Sequence, residues 1–456
     1  MIKIKITRRE FLKLLGIGAL VGASVFTSNE QKKRKASKVK NEKKGNMSYR
    51  EDPKSSNMLS LLGFGMMRLP VVERSRGESL PDVNDTDQEA VNALVDYAIA
   101  NGVNIFDTAP VYSKGFSEKA TGIALSRYPR EKYFISTKMS NHRGLATTRE
   151  GSIQIYENSF KNLQTDYIDY YLLHNVGNHS SYQSRFLDNG MLDFLLKEKA
   201  SGRIKQLGFS FHGDGSFLEF FVKEYPWDFG LIQLNFLDWD NIMGWTSING
   251  RRQYELLTEN NIPVWVMEPL LGGGLARPHF LAREKMMKEN PNATPPSWAL
   301  RFVGSLPNVN VVLSGMTFMD HVIDNINTFS PFVPLNENEQ KMIAEVAKIM
   351  LEKRTIRCTL CQYCMPCPYG IDIPAIFDHY NRCLNEGNYP ENFSSNDFKR
   401  ARKAFLIGLN RKVLPYRQAD RCINCRLCVP SCPQRINIPA EMRRIDAFIE
   451  DMKKET

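Results

Sequence analysis

Residues 104 to 112, NIFDTAPVY, decide the fold. A short apolar run of strand-forming residues stops at Asp107, and a loop carrying Tyr112 follows. The same unit recurs outward in both directions. LLGFGMM (61 to 67), YFISTK (133 to 138), IDYYLLH (168 to 174), IKQLGFS (204 to 210), LIQLNF (231 to 236), PVWVMEP (263 to 269) and NVVLSGM (310 to 316) join NIFDTA (104 to 109) to make eight strand-like runs. Between them lie helix-like segments such as EAVNALVDYAIANG, NSFKNLQTD, LDFLLKEKASGR, YELLTENN and SWALRFV, several closed by the Gly or Asn that favour helix ends. Eight alternating units predict an α/β fold, a (β/α)8 barrel, over a stretch long enough for one large domain. In such a barrel the polar residues at the strand ends face the open mouth, and here they are Asp107, Lys138, His174, Ser210, Asn235, Glu268 and Ser314.

FDTAPVY, then SEKATGIAL, STK and LLH, taken in that order, resemble the aldo-keto reductase family from about Leu59 to Asn325. The resemblance implies interconversion of carbonyls and alcohols with a nicotinamide, NADP(H) or another, and a catalytic tetrad at Asp107, Tyr112, Lys138 and His174. Those residue types suit the chemistry. A carbonyl that takes a hydride develops negative oxygen and needs a proton donor, and an ammonium beside a phenol is expected to lower the phenol's pKa from near 10. Asp107 is expected to hold Lys138 as a charged pair, and His174 to orient the carbonyl oxygen. The resemblance places cofactor contacts at Ser210, Gln233, Gly272, Gly273, Ser314, Gly315 and Asn325, with glycine amides free to approach a pyrophosphate. It departs from the family pattern at Phe211, where an Asn belongs, and at Met267, where a stacking Tyr belongs.

Eight of the nine cysteines form two runs, Cys358, Cys361, Cys364, Cys367 and Cys422, Cys425, Cys428, Cys432. Three thiolates two residues apart, with a fourth before proline turned toward a second centre, is the spacing of two-cluster 4Fe-4S ferredoxins. The second run has that spacing, whereas the first has one residue fewer before Cys367. Two 4Fe-4S clusters are expected, one on Cys358, Cys361, Cys364 and Cys432, the other on Cys422, Cys425, Cys428 and Cys367, in a small α+β ferredoxin-like domain. Zinc would leave four thiols without a role, and disulfides this close in sequence would stabilise little. Cys383 fits neither run and reads as a buried apolar residue.

At the other end, TRREFLK (7 to 13) precedes a short apolar stretch, Leu14 to Phe26, and resembles a twin-arginine export signal with Arg8 and Arg9 as its pair. The stretch is short for a membrane span, which needs about 20 residues. A twin-arginine translocase, an exported or periplasmic location and membrane association through the N-terminus are therefore expected. The net charge of +10 lies wholly in residues 1 to 44, with 13 Lys/Arg against 3 Asp/Glu, and the remainder holds 47 of each. A neutral body gives no support for a nucleic-acid partner. The organisation expected is a signal (1 to 29), a basic linker (30 to 56), the barrel (57 to 335), a connecting helix (336 to 357) and a cluster domain with an inserted helical segment (358 to 456). Three functions fit: an oxidoreductase whose barrel chemistry is coupled to its clusters and to a redox partner protein; an electron-transfer protein with a scaffold barrel; or a cytoplasmic NADPH reductase with structural clusters.

Overall fold

Eight parallel strands close into a barrel in chain order: β3 (Leu62–Gly65), β4 (Ile105–Asp107), β5 (Phe134–Met139), β6 (Ile168–Val176), β7 (Ile204–Phe211), β8 (Gly230–Gln233), β9 (Val264–Met267) and β10 (Val309–Ser314), with β10 pairing back onto β3. This is a computed structural model, and it describes residues 46–72, 85–142, 144–242, 247–353, 355–390 and 396–454. The expected export signal lies outside the described residues. All eight strands fall on the eight runs read from the sequence. No helix among the described residues is long and apolar enough to cross a membrane.

Alternation along the strands divides the barrel's apolar residues into two cores. Leu59, Ile105, Tyr170, Leu172, Phe229, Leu231, Trp265, Val311 and Leu313 form one cluster, and a second, larger one packs the strands against the surrounding helices. The first of those helices, Gln88–Ala100, shows how the sequence sets each one. Asp87 caps it by accepting from the Ala90 amide, Val91, Leu94, Val95 and Ala98 make its buried stripe, and Asn101 ends it before Gly102 turns left-handed at φ 91°.

The N-terminal end of the barrel is closed by an antiparallel hairpin, β1 (Tyr49–Glu51) with β2 (Met58–Ser60). Leu59 enters the smaller cluster, and the Tyr170 hydroxyl donates to the Asp52 carboxylate at 2.9 Å. The opposite, C-terminal end is left for chemistry, and there the rest of the chain docks.

After a helix at Glu337–Glu352, opened by an Asn336 and Glu339 capping box, the chain enters the cysteine-rich segment. Helices Ile373–Asn385, Phe398–Lys412 and Ile438–Lys454 pack around Ile371, Ile376, Phe377, Phe405, Met442 and Ile445. The α+β expectation needs one correction: among the described residues this segment is helical and forms no strand. Its cysteine runs are tight loops with left-handed turns and prolines, which leave no extended backbone to pair. The segment packs with the barrel as one unit, Asn46–Thr456.

Candidate active site at the barrel mouth

Neighbouring strand ends bring the four expected catalytic side chains together. Asp107 ends β4, Lys138 and His174 lie near the ends of β5 and β6, and Tyr112 opens the turn after β4. Lys138 is fully buried and donates to both Asp107 carboxylate oxygens, at 2.7 and 2.6 Å, and to the Thr108 carbonyl at 2.7 Å. The Ser136 hydroxyl donates to Asp107 at 2.7 Å. The Tyr112 ring meets His174 edge-on, 6.0 Å between centroids, and the Lys138 ammonium lies 4.9 Å from the Tyr112 ring centre.

The electrostatics correct one expectation. The Tyr112 phenol is held well above its ordinary value, first by burial and then by the negative charges of Asp107 and Glu268. Burial and these two carboxylates outweigh the nearby ammonium, and Lys138 is itself lowered by burial against the pull of Asp107. His174 is pushed well below the ordinary histidine value, first by burial and then by His142, Lys138 and Arg185 nearby.

Sequence reasoning missed the residues that set this geometry. Ser140 Oγ lies 2.6 Å from His174 Nδ1. Arg185, buried, donates to the His174 and Asn175 carbonyls at 2.6 and 2.9 Å and to Asn141, tying the ends of β5 and β6 together. Neither signal is visible locally, because a lone Ser after a strand or a lone Arg in a short helical turn has no motif.

The residues assigned to the dinucleotide are all at the mouth but are turned to other partners. Ser210 accepts from the Asn175 amide at 2.8 Å, and Gln233 donates to Asp238 at 2.7 Å. Asn325 donates to Ser314 at 2.7 Å. A side chain at Gly315 would meet Arg68, and one at Gly272 would lie 2.5 Å from the Cα of Thr359, in the cysteine-rich segment. The amides of Gly273 and Gly274 donate within their own turn, to Leu270 and Leu271.

The cysteines sort by space, not by run. Cys358, Cys361, Cys364 and Cys432 line one pocket with Ile373, Phe377 and Gln434. Burial, together with the neighbouring Cys361 and Cys432, pushes the Cys358 thiol up to about 12. The Cys428 thiol is pushed up to about 11 by burial and then by Cys422, Cys425 and Cys367. Cys432 thus stands with the first run and Cys367 with the second. The backbone repeats as well: Leu360 and Gln362 are left-handed in the first run, as Asn424 and Arg426 are in the second, and Gly370 matches Arg435. The two cysteine runs thus share one pattern of left-handed turns. No group of three or more His, Cys, Asp or Glu among the described residues is placed to hold a single ion. Cys383 is buried, its sulfur 3.6 Å from His379 Nε2.

Comparison with known proteins agrees with both halves. Residues 61–348 match the aldo/keto reductase family, and residues 357–438 match a 4Fe-4S dicluster domain. Protein tas of Escherichia coli is 32% identical over 145 residues, which span 28% of this chain and 38% of tas. The NADH-specific methylglyoxal reductase of E. coli is 26% identical over 295 residues, covering 55% of this chain and 85% of that protein. Among solved structures, the holo form of aldo-keto reductase AKR11C1 from Bacillus halodurans superposes with a TM-score of 0.53 at 22% identity, covering 66% of this chain and 96% of its own. The chain belongs to the aldo/keto reductase family and carries a 4Fe-4S dicluster domain behind its barrel.

Proposed function

We propose that the barrel mouth interconverts a small carbonyl compound and its alcohol, with Tyr112 as proton donor, and that reducing equivalents reach it through the dicluster domain. The observation that supports this most is the joint placement of Asp107, Tyr112, Lys138 and His174 at one mouth, with a cluster-ligand loop packed beside it. Clusters held by Cys358, Cys361, Cys364 and Cys432, and by Cys422, Cys425, Cys428 and Cys367, would supply single-electron transfer when bound.

A phenol held above its ordinary value stays protonated, which suits a donor that must release its proton only as the carbonyl oxygen becomes negative. Ser140 occupies His174 Nδ1, so a neutral His174 has Nε2 to offer that oxygen as a hydrogen-bond donor. Asp107 and Thr108 fix the ammonium beneath the Tyr112 ring, where it balances the phenolate left after proton transfer.

The second cysteine run faces outward: Arg421, Ile423, Cys425, Arg426 and Leu427 are exposed, as the docking face of a redox partner protein requires. Export by the twin-arginine route through Arg8 and Arg9 completes the reading, since that route carries proteins already folded around their cofactors. The test is Tyr112→Phe, which keeps the ring and removes one hydroxyl. Turnover should fall on the order of a hundredfold or more while the cluster spectrum is unchanged. Wild-type turnover in that variant would refute the proposal and favour a scaffold barrel.

A further inference from the structure

We infer that the segment Arg357 to Thr359, which leads into the first cysteine run, fills the cleft where the family resemblance places a nicotinamide dinucleotide, so that this barrel takes no NAD(P)(H) at its mouth.

The contacts run from the nicotinamide end of the expected cofactor site to its pyrophosphate position. At the nicotinamide end, the Gln233 side-chain amide is committed to Asp238, and Asp238 is paired with Arg357, the residue before Cys358. Beside Met267, where a ring would stack, Glu268 accepts at 3.1 Å from Gln434, two residues beyond Cys432. At the pyrophosphate position, the Thr359 backbone lies flat against Gly272, so close that no side chain fits between them. The turn amides that would cradle a phosphate, those of Leu271, Gly273, Gly274 and Leu275, donate to the carbonyls of Glu268, Leu270, Leu271 and Leu270. Across the cleft, Arg68 packs on Gly315, its carbonyl accepts from the Thr317 hydroxyl at 2.8 Å, and its guanidinium donates to the Thr359 carbonyl.

Four of these contacts, Arg357–Asp238, Gln434–Glu268, Thr359–Gly272 and Arg68–Thr359, join the mouth to the dicluster segment, and the turn amides are satisfied within the barrel. Admitting a dinucleotide would require breaking the buried Arg357–Asp238 pair, the Gln434–Glu268 and Arg68–Thr359 hydrogen bonds and the Gly272–Thr359 packing together. The nicotinamide therefore does not fit, and what replaces it at the mouth is a loop carrying Cys358 and Cys361.

This inference deepens the proposed reading and rests on it for one consequence. Reducing one carbonyl to an alcohol takes two electrons and two protons. Without a hydride donor these electrons come from two equivalents of a one-electron carrier, each oxidised once, while Tyr112 gives one proton and solvent the other.

The experiment uses the intact, cluster-loaded chain under anaerobic conditions. Isothermal titration and equilibrium dialysis with NADPH and with NADH should show no saturable binding up to about 1 mM, the upper end of ordinary enzyme–ligand affinities. Neither nucleotide should bleach the cluster absorbance that dithionite bleaches. Stoichiometric binding of either nucleotide at micromolar concentration would overturn the inference, whatever the turnover. Turnover with reduced methyl viologen is scored separately. Its absence counts against the proposed carbonyl chemistry and leaves the binding result to decide the occlusion.

Discussion

Lys138 is the place to test whether the tetrad is held as the structure shows. Lys138→Met preserves much of the side chain's volume and deletes its charge. Asp107, 3% exposed, is then left as a buried carboxylate whose remaining partner is the Ser136 hydroxyl, and the Thr108 carbonyl loses its donor. Two unit charges at the observed 2.6 Å attract by about 6 kcal/mol in an effective dielectric of about 20. Part of that offsets the desolvation of both groups, so the expected loss on removing one partner is about 3–5 kcal/mol. Against a total stability of about 5–15 kcal/mol that is a large fraction. Removing both charges with Asp107→Asn/Lys138→Met should recover most of the loss, because no lone ion remains. Urea unfolding followed by the fluorescence of Trp227, Trp265 and Trp298, all buried in the barrel, reads both variants. A Lys138→Met loss under about 1 kcal/mol, or a double variant no better than the single, would refute the buried pair as the organising contact. Both variants should be inactive, and an inactive double variant of near-native stability would separate the chemical role of the pair from its structural one.

Two further outcomes follow from the ends of the chain. Purified anaerobically, the protein should contain about eight irons with matching acid-labile sulfide, unchanged in Cys383→Ala and reduced in Cys367→Ala; zinc without sulfide would end the two-cluster reading. Replacing Arg8 and Arg9 together with Lys should leave a folded, cluster-loaded protein in the cytoplasm on cell fractionation, and continued export would reject the twin-arginine reading.

What was legible in the sequence was whatever depends on local repetition. The eight strands stood out as apolar runs because each is covered on both faces, and Asp107, Lys138 and His174 were placed because a strand's end is marked where its apolar run stops. Cysteine spacing indicated the clusters, since three ligands lie within one turn of loop. What could not be read depends on contacts between distant positions. Arg68 with Thr359, Asp238 with Arg357 and Glu268 with Gln434 are 291, 119 and 166 residues apart, and no periodicity links them. The same limit explains the phenol. An ammonium near Tyr112 argued for a lowered pKa, but the burial of the phenol and the approach of Asp107 and Glu268, which raise it, are properties of packing.

The weak cofactor signature and the cysteine runs are two aspects of one arrangement. Phe211 and Met267 depart from the family at positions that clasp and stack a nicotinamide, and Glu268, next to Met267, is the residue that Gln434 reaches. On the occlusion inferred above, no nicotinamide ring stacks at Met267 and no aromatic is needed there. The glycine at 272, which in the family pattern would admit a phosphate, is still required, because the Thr359 backbone now stands against it at a distance no side chain tolerates. Burial pushes the Glu268 carboxyl up to about 7, with Asp238 adding to the rise and Arg68 and Arg357 opposing it. These neighbours belong to the barrel and to the cysteine-rich segment alike, so the polar floor of the mouth is shared between the two halves. Asp238 and Glu268 from the barrel meet Arg357 and Gln434 from the cysteine-rich segment in that floor, so the contacts that commit the mouth's polar residues are the same ones that seat the segment.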